Sequence, residues 1–581
     1  MDRDTHAPFG PAATLEPVRG QNVVAAALIG VAVSAGLVAF GLASGLFANV
    51  CRDSFAQQYI STTQPVAADP LNKPGQFQGW GRPEVAILLS GEQHGYLQPC
   101  GCSSPQYGGL ARRYNLIQAL RQRGWPIVAV DLGDLNQKAG PSGLSNIQGT
   151  LKYEYAMKSL DAMGYTAVNF GEYEMRMPLG TALALYALNN PTPRVVSANL
   201  LEFAPNQKPI GMVSELDIAA KHAGPKVGVF GLTAWSVEID PNTKAPIDPG
   251  VKFDNNTAAV LFRSLNGLKA KGAELFVLLY QGNTKEAKAL ADHVVAQNQQ
   301  NPKFPLIDVI LCVSGNPEPP AQPIIVNEHT MIVEVGHKGK YVGVVGAFRP
   351  NPKGPFQLKY QMVCVGPEFE TPKGQEKSNP VMGLQEDYTL DLKNGNYLAK
   401  YKQTKHPVQV NFPGAEYVGS AKCKMCHEDA YKVWQGSNHS HAYKTLVDAK
   451  NPSLRQHDGE CIVCHTVGFS YNTGFENENN TKFLTDVGCE SCHGPASLHV
   501  ARPKDKDMRV ALNPNKFRAA PGAPPETPAA HQLRINKISD SCMKCHDPEN
   551  DVHFDVTKAW PKIVHMTPAA AGNPQVQAGP K

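Results

Sequence analysis

Cys461-Ile-Val-Cys-His is followed by Cys489-Glu-Ser-Cys-His, and the same C-x-x-C-H pattern begins at Cys423 and Cys542. Two thiols at this spacing form thioethers with the vinyl groups of a porphyrin, and the adjacent imidazole binds its iron, which is the attachment signature of c-type haem. A zinc site also uses paired C-x-x-C motifs, but it does not require a histidine after every second cysteine. The sequence therefore predicts four covalently attached haems.

The four motifs use eight of the 13 cysteines. The predicted thioether cysteines are Cys423, Cys426, Cys461, Cys464, Cys489, Cys492, Cys542 and Cys545. The predicted proximal iron ligands are His427, His465, His493 and His546. Haem of this kind is attached on the outer face of a bacterial cytoplasmic membrane, so we expect this part of the chain to be exported.

Composition excludes few classes of protein. The chain has 581 residues, 42% of them hydrophobic and 18% charged, with a net charge of +4. This mild positive excess does not favour nucleic acid or a polyanionic substrate as a partner. The length allows several domains.

The N-terminal region predicts a membrane anchor. Residues 20–51 contain no charged side chain, and a bilayer core requires about 20 apolar residues, whereas the apolar region of a signal peptide has about 7–15. We expect a cytoplasmic tail at 1–21, a transmembrane anchor at 22–50 and a tether at 51–83, with a cleaved signal peptide as the alternative. The predicted location is the inner membrane, single-pass, with the bulk of the chain in the periplasm.

Residues 84–366 predict an α/β domain. Short apolar runs, such as 85–90, 127–131 and 275–280, alternate with helical patterns, such as 109–123 and 257–271. This alternation is typical of a sheet covered by helices, with sites at the strand ends. The polar stretch 367–413 predicts an irregular interdomain linker, 414–568 the haem domain and 569–581 a disordered tail.

Three phrases of the α/β region carry a resemblance to a known family: Gly91-Glu-Gln-His-Gly, Asp131-Leu-Gly-Asp and Ser197-Ala-Asn-Leu. With them, the region resembles the metallophosphoesterase fold of the 5′-nucleotidase family. The resemblance implies a layered α/β sandwich. In active members, two divalent metals held by Asp, His and Asn activate a water that attacks phosphate.

The metal-binding positions depart from that family. Its Asp-x-His is Glu92-Gln-His here, its Gly-Asn-His-Glu is Gly171-Glu-Tyr-Glu, and its Gly-His-x-His is Val313-Ser-Gly-Asn, although Gly-Asp survives at Asp134. Metal-assisted hydrolysis needs most of these groups together. We therefore predict a degenerate phosphoesterase domain that serves for docking.

A second metal site is a weaker prediction. His94, Cys100, Cys102 and Asp134 combine two thiols, an imidazole and a carboxylate, which could hold Zn²⁺ or another divalent metal ion. The alternative is that the two cysteines form an oxidised pair or a structural turn.

The haem region is similar to the tetrahaem cytochrome c-554 family over 419–439, 461–469 and 484–495. That resemblance implies a mainly α domain with little regular secondary structure, whose haems stack in pairs. It also implies three haems with two histidine ligands and a five-coordinate second haem. Matching positions indicate His439 and His499 as distal iron ligands, and we expect His565 as the third.

Five further histidines are candidates for a sixth ligand, although a surface role is commoner for such residues: His406, His441, His457, His531 and His553. Their presence leaves open whether the second haem has a vacant position. The resulting hypothesis is an electron carrier between redox proteins or quinol-linked donors. The alternatives are an oxidoreductase acting on a small nitrogen or oxygen compound at an open haem, and a bifunctional metal-dependent phosphoesterase.

Overall fold

The computed structural model describes residues 69–73, 75–101, 103–177, 192–202, 215–219 (backbone only), 224–234, 250–352, 354–513 and 526–565. The predicted tail at 1–21 and anchor at 22–50, the tether up to residue 68 and the C-terminal tail at 569–581 lie outside these ranges. No helix within them is both long and apolar enough to cross a membrane. From Pro70 onward the described residues belong to one compact unit.

The described strands are β1 Val85–Ser90, β2 Ile127–Asp131, β3 Tyr165–Val168, β4 Arg194–Val195, β5 Leu200–Glu202, β6 Glu215–Ala219, β7 Lys226–Thr233, β8 Lys252–Phe253, β9 Leu275–Gln281, β10 Val309–Cys312, β11 Ile324–Val326, β12 Thr330–Val333, β13 Tyr341–Phe348 and β14 Gln357–Cys364. They form two six-stranded sheets, ordered β14-β13-β1-β2-β3-β4 and β11-β12-β10-β9-β7-β6, and a small pair β5-β8. In the first sheet β1, β2 and β3 are parallel, so their carboxyl ends meet at one edge.

The described α-helices are α1 Leu110–Gln122, α2 Gly149–Met163, α3 Glu172–Met175, α4 Thr257–Ala270, α5 Thr284–Gln300, α6 Pro380–Asn394, α7 Pro407–Asn411, α8 Ser420–Lys424, α9 Glu428–Gln435, α10 Ala442–Val447, α11 Gly459–His465, α12 Glu478–Thr481, α13 Cys489–His493, α14 Ser497–Ala501, α15 Lys506–Ala511, α16 Pro528–Cys542 and α17 Val556–Ala559. Short 3-10 helices lie at Pro141–Gly143, Pro367–Phe369, Glu376–Ser378, Tyr397–Lys400, Asn438–His441, Arg455–His457, Lys482–Leu484 and Trp560–Lys562.

The two sheets pack face to face. Between them lies an apolar cluster that includes Ile87, Val130, Val277 and Val345, all fully buried. A second cluster joins the outer face of the first sheet to α1, α2 and α6, and a third joins the second sheet to α4 and α5. Because both faces of each sheet are covered, central strands such as β1, β9 and β10 are continuous apolar runs. The predicted layered α/β fold is confirmed as a four-layer sandwich.

The stretch 367–413 is not the irregular segment that its polar composition predicted. It contains α6, which begins after Asn379, whose side chain accepts a hydrogen bond from the backbone N–H of Val381. Val381, Tyr388 and Leu392 are buried against the first sheet's helices. The helix is amphipathic, so its exposed polar face dominated the composition while one apolar stripe joined the core.

The described residues 397–513 and 526–565, here called the cytochrome part, are mainly helical and contain only small apolar clusters. In its described residues the only β-structure consists of the isolated bridges Thr404–Tyr471 and Thr466–Thr485. One apolar cluster contains Tyr401, Ile462 and Phe475, and a smaller one is formed around Met508. Most of its helices have four to eight residues, too short to be stable alone. The predicted helical, low-secondary-structure character is confirmed.

Candidate haem centres

Each C-x-x-C-H motif lies on a helical turn. Cys461 and Cys489 are within α11 and α13, Cys423 is in α8, and Cys542 ends α16. Residues three and four positions apart share one face of a helix. Both thiols and the imidazole of each motif therefore point toward the same side, as attachment to one porphyrin requires.

Three of the motif histidines face a second imidazole from elsewhere in the chain. The ring centres are 6.1 Å apart for His427 and His499, 6.1 Å for His439 and His546, and 6.0 Å for His493 and His565. Two metal–nitrogen bonds of about 2 Å, with about 1 Å from each nitrogen to its ring centre, give a separation of about 6 Å. Each pair therefore leaves the space that one iron between two imidazoles would fill.

The Nδ1 atoms of several motif histidines are held by oxygen acceptors. Nδ1 lies 2.6 Å from the Ala442 carbonyl oxygen in His465, 2.6 Å from that of Leu512 in His493, and 2.8 Å from Asp551 Oδ2 in His546. A metal-binding histidine commonly donates its other ring N–H to a carbonyl or a carboxylate. This arrangement assigns the proton to Nδ1 and makes Nε2 the iron-binding nitrogen. The residues present thus fit a haem at each motif.

His465 differs from the other three motif histidines. Within the described ranges, no second imidazole makes a ring contact with it. His441 is exposed and precedes Ala442, whose carbonyl contacts Nδ1 on the side away from an iron. His406 instead caps α7 and contacts Tyr471.

The remaining spare histidines also face no motif histidine within the described ranges. His531 pairs with Glu526, with Nδ1 3.1 Å from the carboxylate. His457 lies in the 3-10 helix Arg455–His457, and His553 follows the Asp551 loop. The second motif is therefore the one that the described structure provides with a single imidazole.

The motifs are grouped in two pairs. A side-chain interaction links Cys423 with Cys489, and another links Cys464 with Cys545. Porphyrins attached to such neighbouring sulfurs must also be neighbours. The first motif is thus grouped with the third, and the second with the fourth.

A buried carboxylate joins the first and third motifs. Glu490, inside the third motif, accepts hydrogen bonds from the backbone N–H groups of Val418, Gly419 and Ala496 at 2.7–3.1 Å. Gly419 immediately precedes α8, which carries the first motif. Burial raises the pKa of Glu490, while these hydrogen bonds favour its charged form. No local signal in the sequence indicates this contact.

The residues of the predicted degenerate phosphoesterase site lie at the strand ends, where they contact one another. The ring of His94 lies 4.7 Å from that of Tyr173 and 4.9 Å from that of His337, between centres. Burial and the nearby charges of His337 and Lys338 lower the pKa of His94 to about 3. Burial, together with the carboxylate of Glu174, raises the pKa of Asp134.

The structure does not assemble the predicted second metal site. Cys100 Sγ lies 3.2 Å from Gln106 Nε2 and 3.7 Å from the Asn550 carbonyl oxygen, so it faces the loop after the fourth motif. Asp134 Oδ1 accepts the backbone N–H of Tyr173. Among the described residues no three His, Cys, Asp or Glu side chains are placed to hold a metal ion. Cys102 lies outside those residues.

The strand-end face of the sandwich lies against the second and fourth motifs. Lys338 pairs with Glu549 and Ser142 Oγ donates to the Lys544 carbonyl. Arg455 donates to the carbonyl of Cys100 at 2.6 Å. The sequence did not predict these contacts, because they join residues far apart in the chain with no shared motif.

Residues 422–494 match the model of the family described as cytochrome c554 and c-prime. Cytochrome c-554 of Nitrosomonas europaea is 33% identical over 92 residues, which cover 14% of this chain and 39% of that protein. The 5′-nucleotidase of Diplobatis ommata is 28% identical over 223 residues, covering 36% of this chain and 35% of that protein.

Among solved structures, the 5′-nucleotidase precursor of Thermus thermophilus has a TM-score of 0.42 at 19% identity, over 53% of this chain and 59% of its own. The chain spans well under half the length of the two curated relatives, the cytochrome c-554 of Nitrosomonas europaea and the 5′-nucleotidase of Diplobatis ommata. It joins a c-type cytochrome region to a 5′-nucleotidase-like α/β part. The cytochrome region at 422–494 is a domain of the cytochrome c554 family.

Proposed function

We propose that the chain is a four-haem electron carrier in the periplasm, anchored in the inner membrane by residues 22–50. Three imidazole pairs with ring centres 6.0–6.1 Å apart carry this proposal. Two imidazoles give a low-spin iron that is suited to electron transfer. In this assignment His427 and His499 hold the first haem, His493 and His565 the third, and His439 and His546 the fourth.

The chain's own residues set the path of the electrons. Haems attached to the neighbouring cysteines Cys423–Cys489 and Cys464–Cys545 would lie in two close pairs. The α/β sandwich covers the second and fourth motifs, through contacts such as Lys338–Glu549. Redox proteins or quinol-linked donors would exchange electrons with this group of haems, and we expect no nucleic-acid partner.

A second candidate function is favoured by one observation. His465 is the motif histidine that no other described imidazole faces. A five-coordinate iron there would accept a small nitrogen or oxygen compound, and the chain would then be an oxidoreductase. The electron carrier and the oxidoreductase differ only in whether a small molecule binds and reacts at this one iron.

The phosphoesterase-like part is proposed to dock the cytochrome part and not to hydrolyse phosphate esters. Tyr173 occupies a position where the family has a histidine, and among the described residues no three His, Cys, Asp or Glu side chains are placed to hold a metal ion. If the chain were also a metal-dependent phosphoesterase, the purified protein would release phosphate from nucleotides when Mn²⁺ or Zn²⁺ is added. We expect no release above a metal-only blank.

The deciding experiment is an electron paramagnetic resonance spectrum of the oxidised, purified full chain, with its haem content measured alongside. We expect four haems per chain, three low-spin and one high-spin. Four low-spin haems would remove the open-haem assignment and leave a pure carrier. Fewer than four haems would contradict the proposal itself.

A further inference from the structure

Helix α11, which carries the second haem motif, begins inside the interface with the α/β sandwich. Its N-terminal residue Gly459 donates its N–H to Gln148 Oε1 at 3.1 Å, and Gln148 Nε2 donates to Asp458 Oδ1 at 2.9 Å. Asp458 caps the helix by accepting the N–H of Glu460. Gln148 is fully buried, just before α2. The start of the haem-bearing helix is therefore fixed by a residue of the sandwich.

The next residue of that helix, Glu460, is held by two side chains of the sandwich. Glu460 Oε2 accepts a hydrogen bond from Lys152 Nζ at 2.5 Å, and Glu460 Oε1 accepts one from Gln137 Nε2 at 2.5 Å. Lys152 Nζ also donates to Gln137 Oε1 at 2.9 Å, which closes a three-residue ring. The side chains of Lys152 and Glu460 are 9% and 14% exposed. This is a buried ion pair one residue before Cys461.

The sandwich residues in this ring come from the face where a phosphoesterase would hold its metals. Gln137 follows Asp134 in the loop after β2, and Lys152 lies in the first turns of α2. Strand ends of an α/β sheet are the usual place for a ligand site. In this chain the same face holds a haem-bearing helix.

We propose that Lys152 and Gln137 are positioning residues for the second haem: through Glu460 they fix α11 and set the reduction potential of that haem. The inference rests on the proposed function, because it requires a haem at Cys461 and Cys464. A charge in a poorly solvated interface acts on a nearby redox centre more strongly than a surface charge does. Burial and hydrogen bonding around a haem are recognised determinants of its potential.

The two members of the ion pair have opposite expected effects. Reduction adds one negative charge to the haem. In Lys152→Met the Glu460 carboxylate loses its cation, so the reduced form is disfavoured and the potential of one haem falls. In Glu460→Gln the Lys152 ammonium loses its anion, so that potential rises. We expect a change of about tenfold in the reduction equilibrium in each direction, or ~59 mV for one electron.

The test is an optical redox titration of the full-length, haem-loaded protein, resolved into its four components. Lys158→Met is the matched control, because Lys158 also lies on α2 but pairs with Glu154 on the same helix. It should leave all four potentials unchanged. Lys152→Arg keeps the charge and should restore most of the wild-type potential.

Opposite shifts of one component in the two variants would support the proposal. Unchanged potentials, shifts in the same direction, or an equal shift in Lys158→Met would overturn it. If Lys152→Met does not attach four haems, the isosteric Glu460→Gln variant decides alone, and no rise overturns the proposal. The proposed function fails separately, through a wild-type haem content below four.

Discussion

At the scale of single residues, the distal histidines come from parts of the chain far from the motifs they face. His499 lies on α14 opposite His427, and His565 lies near the end of the described chain opposite His493. Sequence spacing does not specify these partners, since any of several spare histidines has the same chemistry. The distal histidines differ from the other spare histidines because their ring centres lie about 6 Å from the ring centre of a motif histidine.

Replacing one distal histidine should open one iron. In His499→Ala the first haem keeps only His427, so we expect the low-spin haems to fall from three to two and the high-spin haems to rise to two. Electron paramagnetic resonance measures both, and added imidazole should reverse the change by occupying the vacated position. His441→Ala is the control, because His441 is exposed. A spectrum unchanged in His499→Ala would contradict the assignment.

At the scale of elements, the loops after β2 and β3 are held together by a tight turn and by a buried carboxylate. Gly133 has φ 99°, and a Cβ there would lie 2.5 Å from the Asn169 carbonyl oxygen, so the tight turn requires glycine. Glu174 accepts hydrogen bonds from the backbone of Asp134, Asn136 and Gly171. The carboxylate that could bind a cation is thus used to hold the loops together.

The buried carboxyls of Asp134 and Glu174 should make the free energy of unfolding depend on pH. Burial and Glu174 raise the pKa of Asp134 above its value in the unfolded chain. The folded protein therefore keeps this proton to higher pH, and its stability falls as pH rises from the ordinary aspartate range through the raised pKa. Asp134→Asn removes that loss and keeps an oxygen to accept the Tyr173 N–H.

We expect Asp134→Asn to raise the free energy of unfolding at pH 7, because the neutral amide removes the cost of ionising a buried carboxyl. Below the ordinary aspartate pKa the gain should vanish. Urea unfolding at several pH values measures both, with Glu172→Gln as control, because Glu172 is 34% exposed and pairs with Arg176. Destabilisation by Asp134→Asn, together with a loss of wild-type stability in EDTA, would instead indicate a bound cation.

At the scale of the whole molecule, the two parts differ in how they are stabilised. The sandwich has three large apolar clusters, whereas the described cytochrome part has short helices and two small ones. Porphyrins supply apolar surface that side chains do not, so the cytochrome part should depend on its haems. The contact between Lys152 and Glu460 therefore joins the sandwich, which is stabilised by its own apolar clusters, to the cytochrome part, which we expect to depend on its haems.

Loss of one haem should therefore loosen one part only. In the double variant Cys461→Ala, Cys464→Ala we expect amide hydrogen exchange in 397–513 to become at least about tenfold faster, a change of ~1.4 kcal/mol in opening free energy. Exchange in β1, β2 and β9 should stay as in the wild type. Equal acceleration in those strands, or none in 397–513, would contradict this division. Haem content by mass spectrometry provides the control for the three remaining motifs.

Local and periodic features of the protein could be predicted from its amino-acid sequence. The C-x-x-C-H motifs were readable because covalent attachment fixes their spacing, and the layered α/β fold was readable because apolar strands alternate with helices. The degeneracy of the phosphoesterase site followed from residue identity at a few positions, such as Tyr173. Helix α6 was missed because its buried stripe is narrow within a polar composition.

Contacts between residues far apart in the chain became visible in the folded structure. It placed His499, His439 and His565 opposite their partners, left His465 without a facing imidazole among the described residues, and set Lys152 against Glu460. The physical reason is that a contact between distant residues depends on how whole elements pack. A covalent motif or a hydrophobic period is written within a few consecutive residues, whereas packing is a property of the folded chain.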